Sequence, residues 1–323
     1  MYRKISAIVI PTLIAAGIIV YMLMRVWSDL LTAFQHVVPV YLAVAVVICT
    51  CAWFLRGWRY RSILERLAYH VPLTVTTACI FVSQTANLVV PARLGDFVRV
   101  FILNHEYSTT YSEGVSSIVV ERVFDIVMVA LLGAVSLPFV LNVPPWFSTV
   151  ILIPLIAGAL FFGFLLFFRT VDAKNRYIRI LLTMVHEIRR ASLTAGSVIA
   201  LSFSSLLIWM LDVLACLAVV MMFSQQIPFA VVVLAIVIGN LVKAVPITPG
   251  GVGTYELSLA LTFELSGVSP AVATLIAVID HLIKNLVTLA GGILSIYLFG
   301  DWVVPSIRKI MNMRIGGGNN PDQ

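Results

Sequence analysis

The sequence predicts an all-α polytopic membrane protein, and its composition and apolar runs support this fold class. Of the 323 residues, 61% are hydrophobic and 11% are charged, with a mean hydropathy of +1.04. Soluble domains carry about 25% charged residues, so this composition is typical of a chain buried in lipid. The apolar runs far exceed the roughly ten-residue alternating strands of membrane barrels, which favours helices. We expect one integral membrane domain over 1–323, because no hydrophilic block is long enough for a separate soluble domain.

Eight hydrophobic segments organise the chain. Six of them reach the length of a transmembrane helix, about 20 residues. We predict full spans at 5–24, 38–55, 113–140, 147–168, 196–223 and 270–299. The other two, 73–103 and 229–266, are interrupted in the middle by proline and glycine. We expect each of these to form a re-entrant helical hairpin, which enters and leaves the membrane on the same side.

Positive charge supports this topology, because Lys and Arg concentrate in cytoplasmic loops. The basic clusters lie at 3–4, 56–66, 169–190 and 308–314, whereas the connectors near 141–148, 224–228 and 267–269 have no basic residue. If both interrupted segments are re-entrant, every basic cluster falls on the same side of the membrane. We therefore expect a protein of a prokaryotic plasma membrane, with both termini in the cytoplasm. If both segments crossed fully, the termini would stay on that side and the middle loops would be inverted. That alternative stays open.

The two interrupted segments resemble each other. Each contains Asn-Leu-Val, then proline, then glycine followed by an acid, which is Asp96 in one and Glu256 in the other. Each is followed by a charged stretch, ERVFD at 121–125 and DHLIKN at 280–285. The predicted topology places the two hairpins on opposite sides of the membrane. We therefore predict an inverted-topology repeat, as in many secondary transporters.

The stretch NLVKAVPITPGGVGTYE at 240–256 predicts a break in the chain at membrane depth. Non-helical backbone there must be covered by protein or line a watery cavity. We predict helix-break residues at Pro91, Gly95, Pro249, Gly250, Gly251 and Gly253. A half-helix from Thr254 to Glu264 would then begin with free N–H groups that favour an anion. The alternative is an extramembrane turn between two ordinary helices.

Charged residues inside the apolar segments are the second signal. Each centrally placed ion costs about 2.5–3.5 kcal/mol on insertion scales and normally marks a pathway or a paired site. The predicted substrate-binding and transport residues are Arg93, Asp96, Arg99, Glu121, Arg122, Asp125, Lys243, Glu256, Asp280 and Lys284. Several bases beside two helix breaks favour a phosphate, and the acids would orient the bases or exchange protons. The alternative is that these ions pair only to hold the helices together. His281 lies on the charged stretch and has two interpretations, a proton relay or an interior hydrogen-bonded residue. The second is the more common role of a lone histidine, so His281 is not among the predicted site residues.

We expect no cofactor, no metal and no catalytic residue. His186-Glu187 begins like a zinc-protease motif but lacks the second histidine, and Walker and G-x-S-x-G motifs are absent. The segment 172–190 predicts a cytoplasmic amphipathic helix lying in the membrane interface, and the aromatic and basic residues of 56–66 predict an interfacial anchor. Nucleic acid is not an expected partner. Residues 315–323 are expected to be a disordered tail.

The ordered motifs RGWRYR, PARLGD, ERVFD and PITPGGVGTYE resemble the transmembrane region of lysylphosphatidylglycerol synthases, a flippase-like family. In the fused synthases this region is thought to move aminoacylated phosphatidylglycerol between leaflets, and stand-alone relatives have been linked to other lipids, including polyprenyl-phosphate carriers. The resemblance implies a stand-alone member without the soluble aminoacyltransferase domain. The motif residues carried over by position are Asn87, Pro91, Arg93, Gly95, Asp96, Arg99, Glu121, Arg122, Asp125, Pro249, Gly250, Gly251, Gly253 and Glu256.

The function predicted from these patterns is a lipid flippase or scramblase. Its partners would be membrane lipids with an anionic or phosphate headgroup, and the oligomeric state stays open. On this interpretation the chain is not an enzyme. Two alternatives stay open, namely a membrane-embedded transferase acting on a lipid-linked substrate and an accessory subunit of a lipid or cell-envelope synthesis complex.

Overall fold

The computed structural model describes residues 2–29, 37–90, 93–140, 143–168, 175–245 and 247–299, with side chains from residue 12 onward. This part of the chain is helical. Its α-helices are α1 (Tyr2–Val26), α2 (Val40–Arg66), α3 (Leu73–Val89), α4 (Asp96–Tyr107), α5 (Tyr111–Ser136), α6 (Pro145–Phe167), α7 (Arg176–Ser192), α8 (Ala195–Met222), α9 (Phe229–Ala244), α10 (Thr254–Leu265) and α11 (Pro270–Phe299). Short 3₁₀ turns follow α1 and α5, and a third lies in the break between α9 and α10.

Five helices within the described ranges are long and apolar enough to cross a membrane: α1, α2, α6, α8 and α11. The protein is therefore an integral membrane protein. The predicted span at 113–140 corresponds to α5, which has the length of a span at 26 residues. It is not among the five because Glu121, Arg122 and Asp125 lie within its apolar part.

Each interrupted segment forms two helices separated by a break, α3 with α4 and α9 with α10. The two arms of each pair fold back on each other. Asn87 near the end of α3 donates a hydrogen bond to Asp96 at the start of α4 (2.9 Å), and Gly239 of α9 lies against the Tyr255 ring of α10. Both segments are therefore helical hairpins.

The two halves of the chain pack in the same pattern. Helices α4 and α10 each pack against the long helix that follows, α5 and α11. The first arms are exchanged, because α3 packs against α11 and α9 packs against α5. Helices α2 and α8, which directly precede the two hairpins, pack against each other. At the tips, Gly250 lies against Leu88, so the two breaks meet between the halves.

Helix α7 covers one flank of α5. The Asn175 side chain caps it by accepting a hydrogen bond from the Tyr177 N–H (2.8 Å), and Ser116 of α5 donates to Glu187 (2.7 Å). Tyr177 is 77% exposed, whereas Ile188 is buried. A helix thus occupies most of the predicted 172–190 segment, and its location in the membrane interface stays a prediction. The predicted tail at 315–323 lies outside the described residues.

Candidate functional site

A cavity of about 140 Å³ lies where the two breaks meet. It is lined by side chains from α2, α3, α5, α8, α9, α10 and α11, and by the backbone turn at Gly250 and Gly251. Its charged lining consists of five basic and three acidic residues: Arg56, Arg93, Arg122, Lys243 and Lys284 with Glu121, Asp125 and Asp212. An excess of positive charge in a partly apolar cavity favours an anionic ligand.

Three of the lining bases are held from behind by acids that do not line the cavity. Arg122 Nη2 donates to Asp96 (2.9 Å), and Lys284 Nζ donates to Asp280 (2.9 Å). Lys243 reaches Glu256 indirectly. Its Nζ lies 3.0 Å from His281 Nε2, and His281 Nδ1 lies 2.8 Å from Glu256 Oε1. These acids therefore set the positions of the bases and leave the lining positive.

The same pairs recur in the two halves. Asp96 and Glu256 each lie in the first turn of the second arm of a hairpin. Their partners are Arg122 and His281. Each partner directly follows an acid in the next helix. This side-chain correspondence adds to the matching helix packing. It is independent of the Asn-Leu-Val similarity that first indicated a repeat.

A second pair of contacts matches with the signs exchanged. In the first half, Arg59 of α2 is paired with Asp125 of α5 at 2.5 Å. In the second half, Asp212 of α8 lies 3.4 Å from Lys284 of α11. Each contact joins the helix preceding the hairpin to the helix following it. The ion pairs therefore close both halves around the cavity.

Arg93 differs from the other lining bases. It follows the first break with a φ of +54°, which places it in the left-handed region. Arg93 lines the cavity, and within the described ranges its guanidinium has neither a hydrogen bond nor an ion pair. Its charged neighbours are Arg122 and three acids, Asp96, Glu121 and Asp125. A guanidinium with five N–H donors and a like-charged neighbour is suited to an anion supplied from outside the protein.

A smaller recess with a mixed polar and apolar lining extends from Arg93 and Arg122 between α5, α8 and α9. Its other walls include Ile126, Val129 and Ala244. The recess shares Asp125, Trp209 and Asn240 with the cavity as well, so the two are continuous.

The structure corrects the interpretation of 56–66 as an interfacial anchor. This segment continues α2 without interruption, and Arg59 is 1% exposed. Its guanidinium donates to both oxygens of Asp125 and to Ser205, and Arg56 lines the cavity beside Asp212 (3.6 Å). The signal was present, because residues three apart share a helix face and the apolar run continues from 38.

Several predicted residues lie behind the lining. Arg99 is fully buried and donates to Glu121 (2.7 Å), and the buried Asp96, Glu256 and Asp280 hold other groups in place. The N–H groups at the start of α10 were expected to be free for an anion. Instead, the Glu256 carboxylate accepts from the Gly253 N–H (2.7 Å). The protein supplies that anion itself. Pro91 lies outside the described residues.

Other predicted break residues have packing roles. Gly251 makes room for the Lys243 side chain, and Gly253 lies against Ala15 and Ile18 of α1. Gly95 lies against the backbone of α3. Pro249 opens the 3₁₀ turn.

Sequence reasoning missed Asp212, a lone acid in the apolar run of α8 and therefore detectable by the cost of intramembrane charge. It also missed the polar lining residues Gln84, Trp209, Asn240 and Tyr255. Among the described residues, no cluster of three or more His, Cys, Asp or Glu side chains is arranged to hold a metal ion.

The model of one protein family covers almost all of this architecture. The family described as the lysylphosphatidylglycerol synthase transmembrane region matches residues 8–292, a range that includes both hairpins and every charged residue of the cavity. The chain belongs to this family.

Two curated proteins are similar to this chain. The chain is 30% identical to glycosyltransferase AglD of Haloferax volcanii over 89% of its length, and spans only 53% of AglD's own length. It is 27% identical to the UPF0104 membrane protein MJ1078 of Methanocaldococcus jannaschii, over 66% of this chain and 93% of that protein. The expectation that the chain is not an enzyme is contradicted by AglD, since a relative aligned over most of the chain is named for an enzymatic activity.

Proposed function

We propose that this protein moves a lipid with a phosphate headgroup between the two leaflets of the membrane. Arg93, Arg122, Lys243 and Lys284 bind the phosphate, and the acids behind them hold three of these bases in position. The family's transmembrane region and the net positive cavity support the proposal.

The proposal depends on one observation, that the Arg93 guanidinium has no acidic partner among the described residues. Burying an unpaired charge is costly, and protein arginines inside membranes normally pair with acids. Every other arginine of the cavity has an acidic partner within 4 Å, whereas Arg93 has none among the described residues. A lipid phosphate would pair with the Arg93 guanidinium and accept charge-assisted, bidentate hydrogen bonds from it.

The route for the lipid follows from the cavity's surroundings. The headgroup occupies the cavity, and the chains leave it past the exposed Ile126 of the smaller recess. The two hairpins are re-entrant and enter from opposite sides, in keeping with the exchanged packing of α3 and α9. The site is then reached from either leaflet by movement of one half against the other, as in inverted-repeat transporters.

Leaflet exchange in proteoliposomes tests this proposal. Fluorescent phosphatidylglycerol, phosphatidylethanolamine and a short polyprenyl phosphate are each added, and dithionite reports the fraction reaching the outer leaflet. We expect exchange of at least one of these lipids by the wild type and loss in Arg93→Gln. The control is Arg25→Gln, which breaks an exposed pair with Glu264 away from the cavity. Absence of exchange by folded wild-type protein, with and without an imposed proton gradient, contradicts the proposal.

A second candidate function is glycosyl transfer to or from a lipid-linked substrate, favoured by the 30% identity to AglD. The same cavity would then hold the lipid phosphate during transfer. Incubating membranes containing the protein with a labelled sugar nucleotide and a polyprenyl phosphate distinguishes the two. Labelled lipid that depends on Arg93 would support this candidate.

A further inference from the structure

Lys243, His281 and Glu256 form a continuous hydrogen-bonded chain that leads from the cavity into the protein. Lys243 lines the cavity, whereas His281 is 1% exposed and Glu256 is 5% exposed. Both ring nitrogens of His281 are in contact, Nε2 with Lys243 (3.0 Å) and Nδ1 with Glu256 (2.8 Å). The Tyr255 ring packs against the imidazole at 4.6 Å between centroids. The histidine is therefore held in one orientation.

The hydrogen bonds limit where the protons of Lys243, His281 and Glu256 can lie. One Glu256 oxygen accepts from the Gly253 N–H, and the other faces His281 Nδ1. With Glu256 ionised, Nδ1 carries a hydrogen and donates it to the carboxylate. An ammonium group can donate hydrogen bonds but cannot accept them. When Lys243 is charged, His281 Nε2 must therefore be the acceptor. When Lys243 is a neutral amine, Nε2 can carry the proton instead.

We propose that Lys243, His281 and Glu256 form a proton-exchanging relay, so that binding of a phosphate-headgroup lipid takes up a proton at Lys243. In the transfer from lysine to histidine, one N–H bond breaks at Nζ and one forms at Nε2, and the electron pair of the broken bond becomes the amine lone pair. Solvent protons reach the relay through the cavity. This inference rests on the proposed function, because the lipid phosphate supplies the charge that drives protonation.

The charges around the relay explain the link to binding. Before a lipid binds, a charged Lys243 shares the cavity lining with two other bases, Arg93 and Lys284. A bound phosphate offsets that repulsion and favours the ammonium form. The other titratable groups facing Lys243 and His281 from the packed elements are Asp212 of α8, Tyr255 and Glu256 of α10, and Asp280 of α11. Asp212 and Asp280 are already paired with Lys284, so the phosphate is the new negative charge.

Calorimetry of the detergent-purified protein tests the relay. Dihexanoyl phosphatidylglycerol is titrated at constant pH into protein in buffers of different ionisation enthalpy, and dimethyl phosphate is used in a parallel titration. Neither phosphodiester changes its own protonation near neutral pH. We expect wild-type binding of the lipid to take up a fraction of a proton, up to about one. Binding of dimethyl phosphate with the same uptake would show that phosphate alone is the ligand.

Three variants separate the relay from a merely structural contact. Lys243→Arg keeps a positive charge that cannot be released, so we expect binding without proton uptake. His281→Gln can accept from Lys243 but cannot take its proton, and we expect the uptake to change its pH dependence. His70→Gln, at an exposed position between α2 and α3, should behave as the wild type.

The outcomes distinguish the two proposals. Binding heat that is independent of the buffer in the wild type, or equal proton uptake in wild type and Lys243→Arg, contradicts the relay and leaves the proposed function standing. Failure of the folded wild type to bind either phosphodiester contradicts the proposed function, and the relay with it.

Discussion

Arg59 donates hydrogen bonds from both terminal nitrogens to the two oxygens of Asp125, at 2.5 and 2.9 Å, with the guanidinium 1% exposed. This bidentate pair joins α2 to α5 beneath the cavity. Trp209 of α8 donates to the same carboxylate (3.2 Å). The pair therefore connects three helices, and its role is to hold the cavity walls.

Removing one member of this pair should destabilise the protein. Arg59→Gln leaves Asp125 buried without its main partner, and breaking a buried ion pair from one side costs about 3–5 kcal/mol. The free energy of unfolding measured by SDS titration in mixed micelles checks this. The double variant Arg59→Met with Asp125→Leu should lose less free energy of unfolding than the sum of the losses in its two single variants, Arg59→Met and Asp125→Leu. Additive losses would show that the two side chains are not coupled.

Arg93→Gln should have the opposite profile, because Arg93 has no partner among the described residues. We expect nearly unchanged stability, since the substitution breaks no ion pair or hydrogen bond within the described ranges. Lipid binding should weaken, because a hydrogen bond to a charged group contributes about 1.5–3 kcal/mol, roughly ten- to a hundredfold in affinity. Unfolding and lipid-binding titrations of one preparation measure both. A large loss of stability with retained binding would mean that Arg93 is structural.

Gly251→Ala should disable the site through Lys243. A Cβ at residue 251 would lie 2.6 Å from Lys243 Cγ, and the φ of +79° disfavours any residue other than glycine. Lys243 must therefore move away from His281, and we expect weaker lipid binding and lower exchange. The matched control is Gly163→Ala in α6, where nothing lies within 4 Å of the added carbon. Normal binding by Gly251→Ala would show that Lys243 does not act from this position.

Gly95→Ala should affect folding instead. The added carbon would lie 2.5 Å from the Ser83 carbonyl oxygen and 2.6 Å from the Asn87 nitrogen, which are backbone atoms of α3 that cannot rotate away. The first hairpin would have to open, so we expect low yields of monodisperse protein in size-exclusion chromatography. Wild-type yield and stability would contradict the close approach of the two arms.

Arg25→Gln should have little effect on stability. Its partner Glu264 joins α10 to α1, but the Arg25 side chain is 43% exposed, and exposed pairs contribute about 0–1 kcal/mol. The same unfolding titration measures it. A loss comparable to that of Arg59→Gln would show that α1 is held to the second hairpin mainly by this contact.

The sequence was sufficient for the helical class, the two breaks and the family. Long apolar runs and the Pro-Gly stretches are local features, and the helix after TPGGVG begins at Thr254 as its pattern predicts. The ion-pair partners of the charged side chains could not be predicted from the sequence, because they depend on which helices pack together. Arg59 and Asp212 illustrate this limit. Arg59 lies among residues typical of an interfacial anchor, and only helix packing brings it to Asp125. Asp212 lies alone in an apolar run, and only packing brings it to Lys284.

The central claim is that a lipid phosphate binds at Arg93, and native mass spectrometry of lipid-protein complexes tests it most directly. Wild type and Arg93→Gln are each exposed to equal amounts of phosphatidylglycerol and diacylglycerol of the same chain length, so the lipids differ by the phosphoglycerol headgroup. We predict that the wild type retains phosphatidylglycerol over diacylglycerol and that Arg93→Gln loses this preference. Equal retention of phosphatidylglycerol by both proteins would contradict the account.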